Sequence, residues 1–245
     1  RGLGDVYKRQ VLLAETEIDG DARIRKYPKG RLYSHIIGYC SQVYGKTQLE
    51  MSHDDDLIGK GTISLTLNEI KHGNNLNLTI NDELQEYAYE QLDGRDGAIV
   101  AMEPTTGQIL AMVSLPDFNP ETIEKDWPSM MEDENSPFLA RATQGLYPPG
   151  STYKIVTAAG VYDNGMTTET FDDEGLFKKD DVTVYNYNKE SFGKLDIKTA
   201  FEVSSNYVFC TLGYEMGADA VKAEAEKFGV NKSFEFDIPV SQSPV

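Results

Sequence analysis

Two apolar segments on either side of a short turn constrain the fold of this chain more than any other feature. Ala98-Ile-Val-Ala-Met102 and Gln108-Ile-Leu-Ala-Met-Val113 flank Glu103-Pro-Thr-Thr-Gly107. Proline presets one turn angle and glycine tolerates positive φ, so the three segments predict a β-hairpin. Because both strands are apolar almost throughout, we expect both faces of the hairpin to be covered.

The sequence before the hairpin combines strand and helix patterns. Ile63-Ser-Leu-Thr-Leu67 and Leu76-Asn-Leu-Thr-Ile80 alternate apolar with polar residues, as half-buried strands do. Asn81 or Asp82 is a suitable cap for a helix over residues 83–92.

The sequence after the hairpin is predicted to be mainly helical. Residues 115–134 contain several prolines and are predicted to form a loop. An apolar helix is predicted from Ser151 to about Asn164, followed by acidic, turn-rich sequence up to about Gly193. Three further helical segments are predicted at residues 195–203, 207–216 and 218–228.

The charge of the chain argues against several classes of partner. Its 245 residues include 23 Lys and Arg against 40 Asp and Glu, a formal net charge of −17. Because such a surface repels phosphate groups and no basic stripe offsets it, we expect neither nucleic acid nor anionic lipid to bind. No apolar run approaches the ~20 residues that a membrane-spanning helix needs.

The histidines and cysteines do not form a metal or redox motif. Cys40 and Cys210 do not fit a C-x-x-C spacing. His35, His53 and His72 lie in polar sequence and are predicted to be surface residues. The acidic residues after His53 permit a metal site, but an exposed acidic loop is the favoured interpretation. We therefore expect no metal site.

The tetrad Ser-x-x-Lys occurs at Ser151-Thr-Tyr-Lys154 and at Ser191-Phe-Gly-Lys194. Such a short pattern is expected by chance in a chain of this length, so its surroundings must separate the two. Ser191 lies in polar sequence with no predicted helix after it. Ser151 follows Tyr147-Pro-Pro-Gly150 and opens an apolar helix, where residues three apart share a face.

This arrangement is suited to nucleophilic catalysis. A hydroxyl becomes a useful nucleophile when a nearby base takes its proton, and burial favours the neutral form of a lysine. Lys154 is thus a candidate base for Ser151, and the start of the helix offers N–H groups to a developing oxyanion. The alternative is that Ser151 is only a helix cap and Lys154 a solvated side chain.

Ser204-Ser-Asn206 is the second candidate element, between two predicted helices. Its hydroxyl and amide could relay a proton and hold a substrate amide. A polar turn between helices is the alternative. Both elements in this order, each in suitable surroundings, favour a serine acyl-transferase.

These motifs resemble those of the class B penicillin-binding proteins. S-x-x-K and Ser-x-Asn are two of the three signature motifs of penicillin-binding proteins and serine β-lactamases, the third being K-T-G. Longer segments are also similar to that family: 97–116 to the opening hairpin of the catalytic domain, 141–154 to the nucleophile segment, 78–85 to the segment before the hairpin, and 27–30, 35–38 and 45–50 to the non-catalytic pedestal.

The chain departs from the family pattern at three places. Gln48 stands where the pedestal motif has glycine, residues 1–10 do not reproduce the pedestal opening, and no Lys-Thr-Gly or Lys-Ser-Gly occurs. We interpret residues 1–10 as a non-native scar and 11–75 as part of a dimerisation-type pedestal. Residues 76–245 are interpreted as the N-terminal portion of a transpeptidase domain that lacks the part bearing K-T-G.

The resemblance implies a fold and an activity. The fold is the α+β transpeptidase domain of the penicillin-binding proteins and serine β-lactamases, an antiparallel sheet with a helical subdomain, truncated here and preceded by part of a β-rich pedestal. Its chemistry would need no metal and no organic cofactor. Ser151 would attack D-Ala-D-Ala stem peptides of peptidoglycan, and Lys154 would activate it. Ser204 would relay a proton to the leaving amine, and Asn206 would bind the substrate amide. β-Lactam antibiotics would acylate the same serine.

The resemblance also implies a location and leaves rival functions open. Family members act at the extracytoplasmic face of the bacterial membrane, with an anchor helix that this chain does not contain, and partner proteins of cell-wall synthesis are expected. The chain as it stands is expected to be a weak catalyst or inactive. The alternatives are a β-lactamase or D,D-carboxypeptidase, or a non-catalytic β-lactam sensor or cell-wall scaffold.

Overall fold

The computed structural model describes residues 10–20, 22–60, 73–167 and 170–244 of the chain. The chain forms two compact units, Arg1–Gly145 with Glu235–Ser241 and Leu146–Phe234 with Gln242–Val245. Helices and antiparallel strand pairs occur in both, so the predicted α+β class is confirmed.

The first unit begins with short elements around an aromatic and aliphatic core. β1 (Glu15–Asp19) and β2 (Ala22–Lys26) form an antiparallel pair with Glu15 opposite Lys26. They are followed by α1 (Ser34–Ile37), β3 (Cys40–Ser41), β4 (Gly45–Lys46), α2 (Gln48–Ser52) and α3 (Asp54–Leu57). The acidic run predicted to be a loop is thus one turn of helix. The buried core of this region comprises Tyr27, Tyr33, Ile36, Ile37, Leu49, Met112 and Ile238.

The predicted helix and hairpin form the second part of this unit. In α4 (Asp82–Leu92) the side chain of Asn81 accepts a hydrogen bond from Leu84 N, which confirms it as the cap. β5 (Gly97–Met102) pairs antiparallel with β6 (Ile109–Leu115), which confirms the predicted hairpin. Its turn is closed by Gly107 N donating to Glu103 O at 2.8 Å, with φ of +75° at Gly107.

Helix α4 is attached to the hairpin through Gln85, whose side chain is fully buried. Its amide donates to Met112 O and accepts from Met112 N, both at 2.8 Å, and also donates to Leu32 O at 3.1 Å. The bond to Leu32 O crosses the predicted domain boundary at residues 75 and 76. The two compact units divide near residue 145 instead, and the boundary at residues 75 and 76 stays a prediction about sequence segments.

Three predictions for this unit were wrong. Met112, Val113 and Leu115 of β6 are buried, but Val100 and Met102 of β5 are 49% and 55% exposed, because among the described residues helices and loops pack mainly against β6. Residues 76–80 form no strand ladder with any residue that the structure describes. The predicted loop at 115–134 contains α5 (Ile123–Met131). The 3₁₀ turn before this helix is capped by Asn119, whose side chain accepts a hydrogen bond from Glu121 N. A short α6 (Arg141–Gln144) follows.

The second unit is built from helices around two pairs of short strands. A 3₁₀ turn (Gly150–Tyr153) leads into α7 (Lys154–Asp163), which is followed by β7 (Thr170–Asp173), β8 (Leu176–Lys179), β9 (Val182–Tyr185) and β10 (Gly193–Asp196). β7 pairs with β10 and β8 with β9, both antiparallel. α8 (Ile197–Glu202), α9 (Asn206–Met216) and α10 (Ala218–Lys227) complete the unit.

The three C-terminal helices confirm the helical segments predicted there, with one shift. The first begins at Ile197 rather than Leu195, because the side chain of Asp196 caps it by accepting from Thr199 N at 2.7 Å. The four strands were not predicted. The β7–β10 ladder joins residues distant in sequence, such as Leu195 with Phe171, and these two residues meet in the core together with Val161, Val208 and Leu212.

His35 is buried, which corrects the predicted surface position. It is 5% exposed, its Nε2 lies 3.1 Å from Pro116 O, and its ring packs edge-on against Phe118. Burial lowers the pKa of His35 below its ordinary value of 6.5. A single histidine in a predicted polar segment carries no sequence signal for such burial.

Gln48 gives a physical reason for the glycine found in the family motif. Its φ is +49°, in the left-handed region that glycine adopts without strain. The side chain is 6% exposed, and its Oε1 has no hydrogen-bond partner in the part of the chain that the structure describes.

Several remaining predictions concern absences or residues outside the described ranges. Cys40 and Cys210 are free and half-buried. Within the described residues, no helix has both the length and the apolar character needed to cross a membrane. The predicted strand at 63–67, His72 and residues 1–9 lie outside the described residues.

Candidate active site

Ser151 is presented by a sharp turn at the start of α7. Gly150 has φ of +56°, which confirms the predicted role of glycine in this turn. Ser151 lies in the 3₁₀ turn and is exposed, whereas Lys154 is only 8% exposed. The turn therefore places a solvent-accessible hydroxyl beside a buried amine.

The amine of Lys154 is the centre of the site. Its Nζ lies 2.6 Å from Asn206 Oδ1, 2.7 Å from Ser204 O, 2.9 Å from Ser204 Oγ and 3.4 Å from Ser151 Oγ. Ser204 Oγ also lies 3.2 Å from Ser151 Oγ. The structure thus brings together all four side chains predicted from the two motifs.

Two of the four contacts of Lys154 Nζ use its N–H groups and so determine where the third direction around the nitrogen points. Ser204 O and Asn206 Oδ1 are carbonyl oxygens that can only accept hydrogen bonds, so each takes one N–H. The third direction of the tetrahedral nitrogen is left for the hydroxyls of Ser204 and Ser151. In a neutral amine this position is the lone pair, which can accept a proton from a hydroxyl.

The surroundings favour that neutral form. Burial lowers the pKa of Lys154 below its ordinary value of 10.5, while the nearby Cys210 acts slightly in the opposite direction. Lys154 Nζ also lies 5.8 Å from the centre of the Phe209 ring. No carboxylate lies among these contacts, so the described part of the chain offers the amine no close anion that would hold its proton.

The Ser204–Asn206 element lies at the junction of α8 and α9. Ser204 has φ of +57°, and Ser205 caps α9 by accepting from Val208 N at 3.1 Å. Asn206 Nδ2 donates to Tyr185 O at 2.8 Å. An amide nitrogen carries two N–H groups, and the second makes no hydrogen bond within the described residues, so it remains free for a substrate carbonyl.

Sequence reasoning missed the residues that support this element. Asp173, Asn186 and Ser205 are 1%, 3% and 0% exposed and are hydrogen-bonded to one another behind the loop. Only Ser205 had a signal, since serine is a common residue before a helix. Asp173 and Asn186 lie in acidic, turn-rich sequence without periodicity.

The second Ser-x-x-Lys is not part of this site. Ser191 Oγ donates to Asp173 O at 2.6 Å, and Lys194 is exposed on β10, so neither lies on a helix. This agrees with the choice of Ser151 over Ser191. In the described part of the chain, no group of His, Cys, Asp and Glu could hold a metal ion.

Two known domain families match the chain. Residues 97–243 match the penicillin binding protein transpeptidase domain, and residues 3–74 match the penicillin binding protein A dimerisation domain. The second match begins within the residues interpreted above as a scar.

Curated relatives match nearly the whole chain. The peptidoglycan D,D-transpeptidase PbpA of Mycolicibacterium smegmatis is 31% identical over 249 aligned residues, covering 91% of this chain and 51% of the relative. The peptidoglycan D,D-transpeptidase MrdA of Acinetobacter baumannii is 31% identical, covering 88% of this chain and 38% of the relative. The chain thus spans about half the length of these relatives or less.

Solved structures are similar over the same extent. The D,D-transpeptidase domain of a peptidoglycan glycosyltransferase from Eggerthella lenta superposes with a TM-score of 0.86 at 38% identity, covering 96% of this chain and 55% of that one. The penicillin G acyl-enzyme complex of penicillin-binding protein A from M. tuberculosis has a TM-score of 0.86 at 28% identity, covering 95% of this chain and 60% of that one.

Proposed function

The chain belongs to the class B penicillin-binding proteins, and from this premise we propose that it is part of a peptidoglycan D,D-transpeptidase with Ser151 as nucleophile. The observation that carries the proposal is the geometry of Lys154, whose two carbonyl partners leave its third direction for the hydroxyls of Ser204 and Ser151. A base directed at an exposed serine is the requirement of serine acyl transfer.

Acylation begins with proton removal from Ser151. The neutral amine of Lys154 takes the proton, either across the 3.4 Å contact or through Ser204 Oγ, which lies 3.2 Å from Ser151 Oγ. Ser151 Oγ then attacks the carbonyl carbon of the penultimate D-Ala of a stem peptide. The C–N bond to the terminal D-Ala breaks, and Ser204 passes the proton to the leaving amine, which gives an ester on Ser151 and free D-Ala.

Cross-linking reverses these proton movements. An amino group of a neighbouring stem peptide attacks the ester carbonyl and loses one proton to Lys154 through Ser204. The C–O bond to Ser151 breaks as the new amide bond forms, and Lys154 returns the proton to Ser151 Oγ. Asn206 holds the amide carbonyl of the donor peptide through the second N–H of Nδ2. A β-lactam, whose strained amide mimics D-Ala-D-Ala, acylates the same hydroxyl. Because its amide nitrogen is part of a ring, the nitrogen stays attached to the adduct after the C–N bond breaks.

The proposed substrate, peptidoglycan, suggests where the protein acts and which proteins it works with. Peptidoglycan is built outside the cytoplasm, so the site is assigned to the extracytoplasmic face of the bacterial membrane. Other proteins of cell-wall synthesis are the expected partners. Neither assignment depends on the positions of the side chains described above.

The test is covalent labelling of the full-length protein, the product of the complete open reading frame that contains this chain. We expect a fluorescent penicillin to form an adduct that peptide mass spectrometry locates on Ser151. Ser151→Ala should abolish the label, and Lys154→Met should reduce it at least 100-fold, in the range of about 10² to 10⁴ expected for general base catalysis. The matched control is Lys194→Met, in the second Ser-x-x-Lys.

Two results would count against the proposal. Labelling of Lys154→Met at the rate of Lys194→Met would remove Lys154 as the base. Rapid hydrolysis of the adduct, in place of a slow release, would identify a β-lactamase, the alternative function left open by the sequence.

A further inference from the structure

A buried carboxylate lies behind the Ser204–Asn206 loop. Asp173, the last residue of β7, is 1% exposed. Its Oδ1 accepts from Gly175 N at 2.7 Å, its Oδ2 accepts from Ser205 Oγ at 2.6 Å, and both oxygens lie 2.9 Å from Asn186 Nδ2. None of these donors carries a charge, so within the described residues the side chain of Asp173 is held by neutral hydrogen-bond donors.

The same side chains hold the beginning of α9. Asn186 Oδ1 accepts from Asn206 N at 2.8 Å and from Tyr207 N at 3.0 Å, and Ser205 Oγ accepts from Val208 N. The first N–H groups of a helix have no partners within the helix. Here three consecutive ones are bonded to side chains that are in turn bonded to Asp173.

We propose that Asp173, Asn186 and Ser205 form a positioning network that holds Ser204 and Asn206 in register with Lys154, an inference that rests on the function proposed above. The backbone N–H of Asn206 is bound by Asn186, and the same residue places its Oδ1 2.6 Å from Lys154 Nζ. Ser204 retains a left-handed φ of +57°, a conformation that persists only where neighbouring residues hold it.

The polarity of Asn186 is the specific element of this network. Its oxygen faces two N–H donors of α9, and its NH₂ group faces the carboxylate of Asp173. Leucine could serve neither side. Aspartate could accept from the helix, but it would place a second carboxylate about 3 Å from the first, where both cannot remain ionised.

Asn186→Asp therefore makes the network depend on pH. With one proton shared between residues 173 and 186, the pair keeps the hydrogen bond between the two side chains and the acceptor for α9, and loses only the N–H that Asn186 Nδ2 donates to Glu190 O at 3.0 Å. When that proton is lost, the two anions repel and the start of α9 is released. The other charged groups nearest to the network in sequence and ladder register have exposed side chains: Asp172, Glu174, Lys189, Glu190 and Lys194. Tyr207, on α9, faces the carboxylates of residues 172–174.

The experiment measures the acylation rate of the full-length protein by a fluorescent penicillin as a function of pH. For Asn186→Asp we expect a rate about 10-fold to 100-fold below wild type near pH 8, since small misplacements of catalytic groups have effects of that size. The ratio of variant to wild-type rate should rise toward one as the pH falls. Asn188→Asp, on the exposed part of the same loop, adds the same charge outside the network and should behave as wild type.

The exchange variant Asp173→Asn/Asn186→Asp tests the network without adding charge. It retains one carboxylate and one amide in contact, so it should recover most of the rate that Asn186→Asp loses near pH 8. If Asn186→Asp is unfolded at that pH, the exchange variant carries the test alone. A rate no higher than that of Asn186→Asp, or an effect on penicillin affinity with the maximal acylation rate unchanged, would overturn the proposal.

A readout independent of acylation separates this inference from the proposed function. In the 245-residue chain, NMR of isotopically labelled lysine can follow the titration of Lys154. Near pH 8, where the start of α9 is expected to be released in Asn186→Asp, the amine of Lys154 becomes exposed to water. The pKa of Lys154 in this variant should therefore rise toward the ordinary value of 10.5. If wild type is not acylated, the proposed function fails, and an unchanged Lys154 titration in Asn186→Asp would then overturn the network independently.

Discussion

The Nζ of Lys154 lies 2.9 Å from the Oγ of Ser204 but 3.4 Å from the Oγ of Ser151. The residue proposed as base is therefore in closer contact with the second serine than with the nucleophile. Ser204 Oγ is 3.2 Å from Ser151 Oγ, so a proton can pass from Ser151 to Lys154 through Ser204 as well as directly. Ser204 also touches Lys154 through its carbonyl, and only the hydroxyl contact can be removed by mutation.

Removing the Ser204 hydroxyl should slow acylation of the full-length protein by about 100-fold or more, the lower end of the range for a lost proton-transfer group. Ser204→Gly is the preferred variant, because glycine accepts the left-handed backbone at this position without strain. Stopped-flow measurement of penicillin acylation gives the rate. An acylation rate for Ser204→Gly equal to wild type would show that Ser204 acts only through its backbone.

The rate of acylation should rise with pH as Lys154 loses its proton. Burial lowers the pKa of this amine below 10.5, so the midpoint of the rate profile should also lie below 10.5. Lys154→Arg stays protonated throughout this range and should show no such rise. The profile can be measured from about pH 6 to about pH 10, between the ordinary pKa values of histidine and lysine.

The same lowered pKa predicts a change in stability. Between the folded pKa of Lys154 and 10.5, the unfolded chain binds more protons than the folded chain, so stability due to this residue rises with pH. The free energy of unfolding of wild type should increase relative to Lys154→Met across this window. A difference between the two that is constant with pH would contradict the lowered pKa.

The buried His35 should make the first unit sensitive to mild acid. The pKa of His35 in the folded chain lies below 6.5, so below about pH 6.5 the unfolded chain binds a proton that the folded chain does not. The free energy of unfolding therefore decreases as the pH is lowered, by at most about 1.4 kcal/mol per pH unit. Thermal unfolding of His35→Gln should lack this component. The matched control is His53→Gln, since the His53 side chain is 27% exposed and lies at the surface beside Asp56; an identical pH dependence in both variants would contradict the prediction.

The sequence predicted those elements whose signals are local. The β5–β6 hairpin, the capped helix α4 and the turn before Ser151 each depend on residues within a few positions of one another. The pairing of Ser151 with Asn206 was predicted as well, but from the order of two motifs rather than from spacing. Its distances depend on how α7 and α9 pack, which no local pattern contains.

Features that depend on packing between distant segments were missed. The strand pair β7–β10 joins residues twenty or more positions apart, and its short strands end in charged residues that obscure the alternation. The Asp173–Asn186 contact and the burial of His35 against Pro116 have the same origin. Local propensity carries no information about such contacts.

Replacing Gln48 by glycine should stabilise the protein, the opposite of the usual effect of glycine in a helix. Gln48 has φ of +49°, which costs about 1 kcal/mol or more for a residue with a side chain. Gln48→Ala is the matched variant, because it loses the same buried amide but keeps the backbone strain. Chemical denaturation should therefore show Gln48→Gly to be more stable than Gln48→Ala by about 1 kcal/mol, and equal stabilities would contradict the assignment of strain.

Substitution of Gln85 is expected to destabilise the protein more than substitution of any other residue of α4. Its side-chain amide makes the two backbone hydrogen bonds with Met112 that a neighbouring strand would otherwise make. It accepts from Met112 N and donates to Met112 O, both at 2.8 Å, and it is fully buried. Gln85→Leu preserves the approximate size but leaves these two backbone groups, and Leu32 O, without their partner. Each unpaired buried group costs about 1 to 3 kcal/mol, so the free energy of unfolding should fall by at least about 3 kcal/mol.

The control for this prediction is Gln91→Leu, an exposed position on the same helix, where the change should stay within about 0.5 kcal/mol. Gln85→Glu sharpens the test, because a carboxylate can still accept from Met112 N but meets Met112 O with an acceptor. Above the pKa of the new carboxyl, the Gln85→Glu variant should be less stable than wild type. As that carboxyl is protonated it regains a donor for Met112 O, so the difference in the free energy of unfolding should become smaller. A Gln85→Glu variant whose stability does not increase on acidification relative to wild type would show that the amide is not the link between α4 and β6.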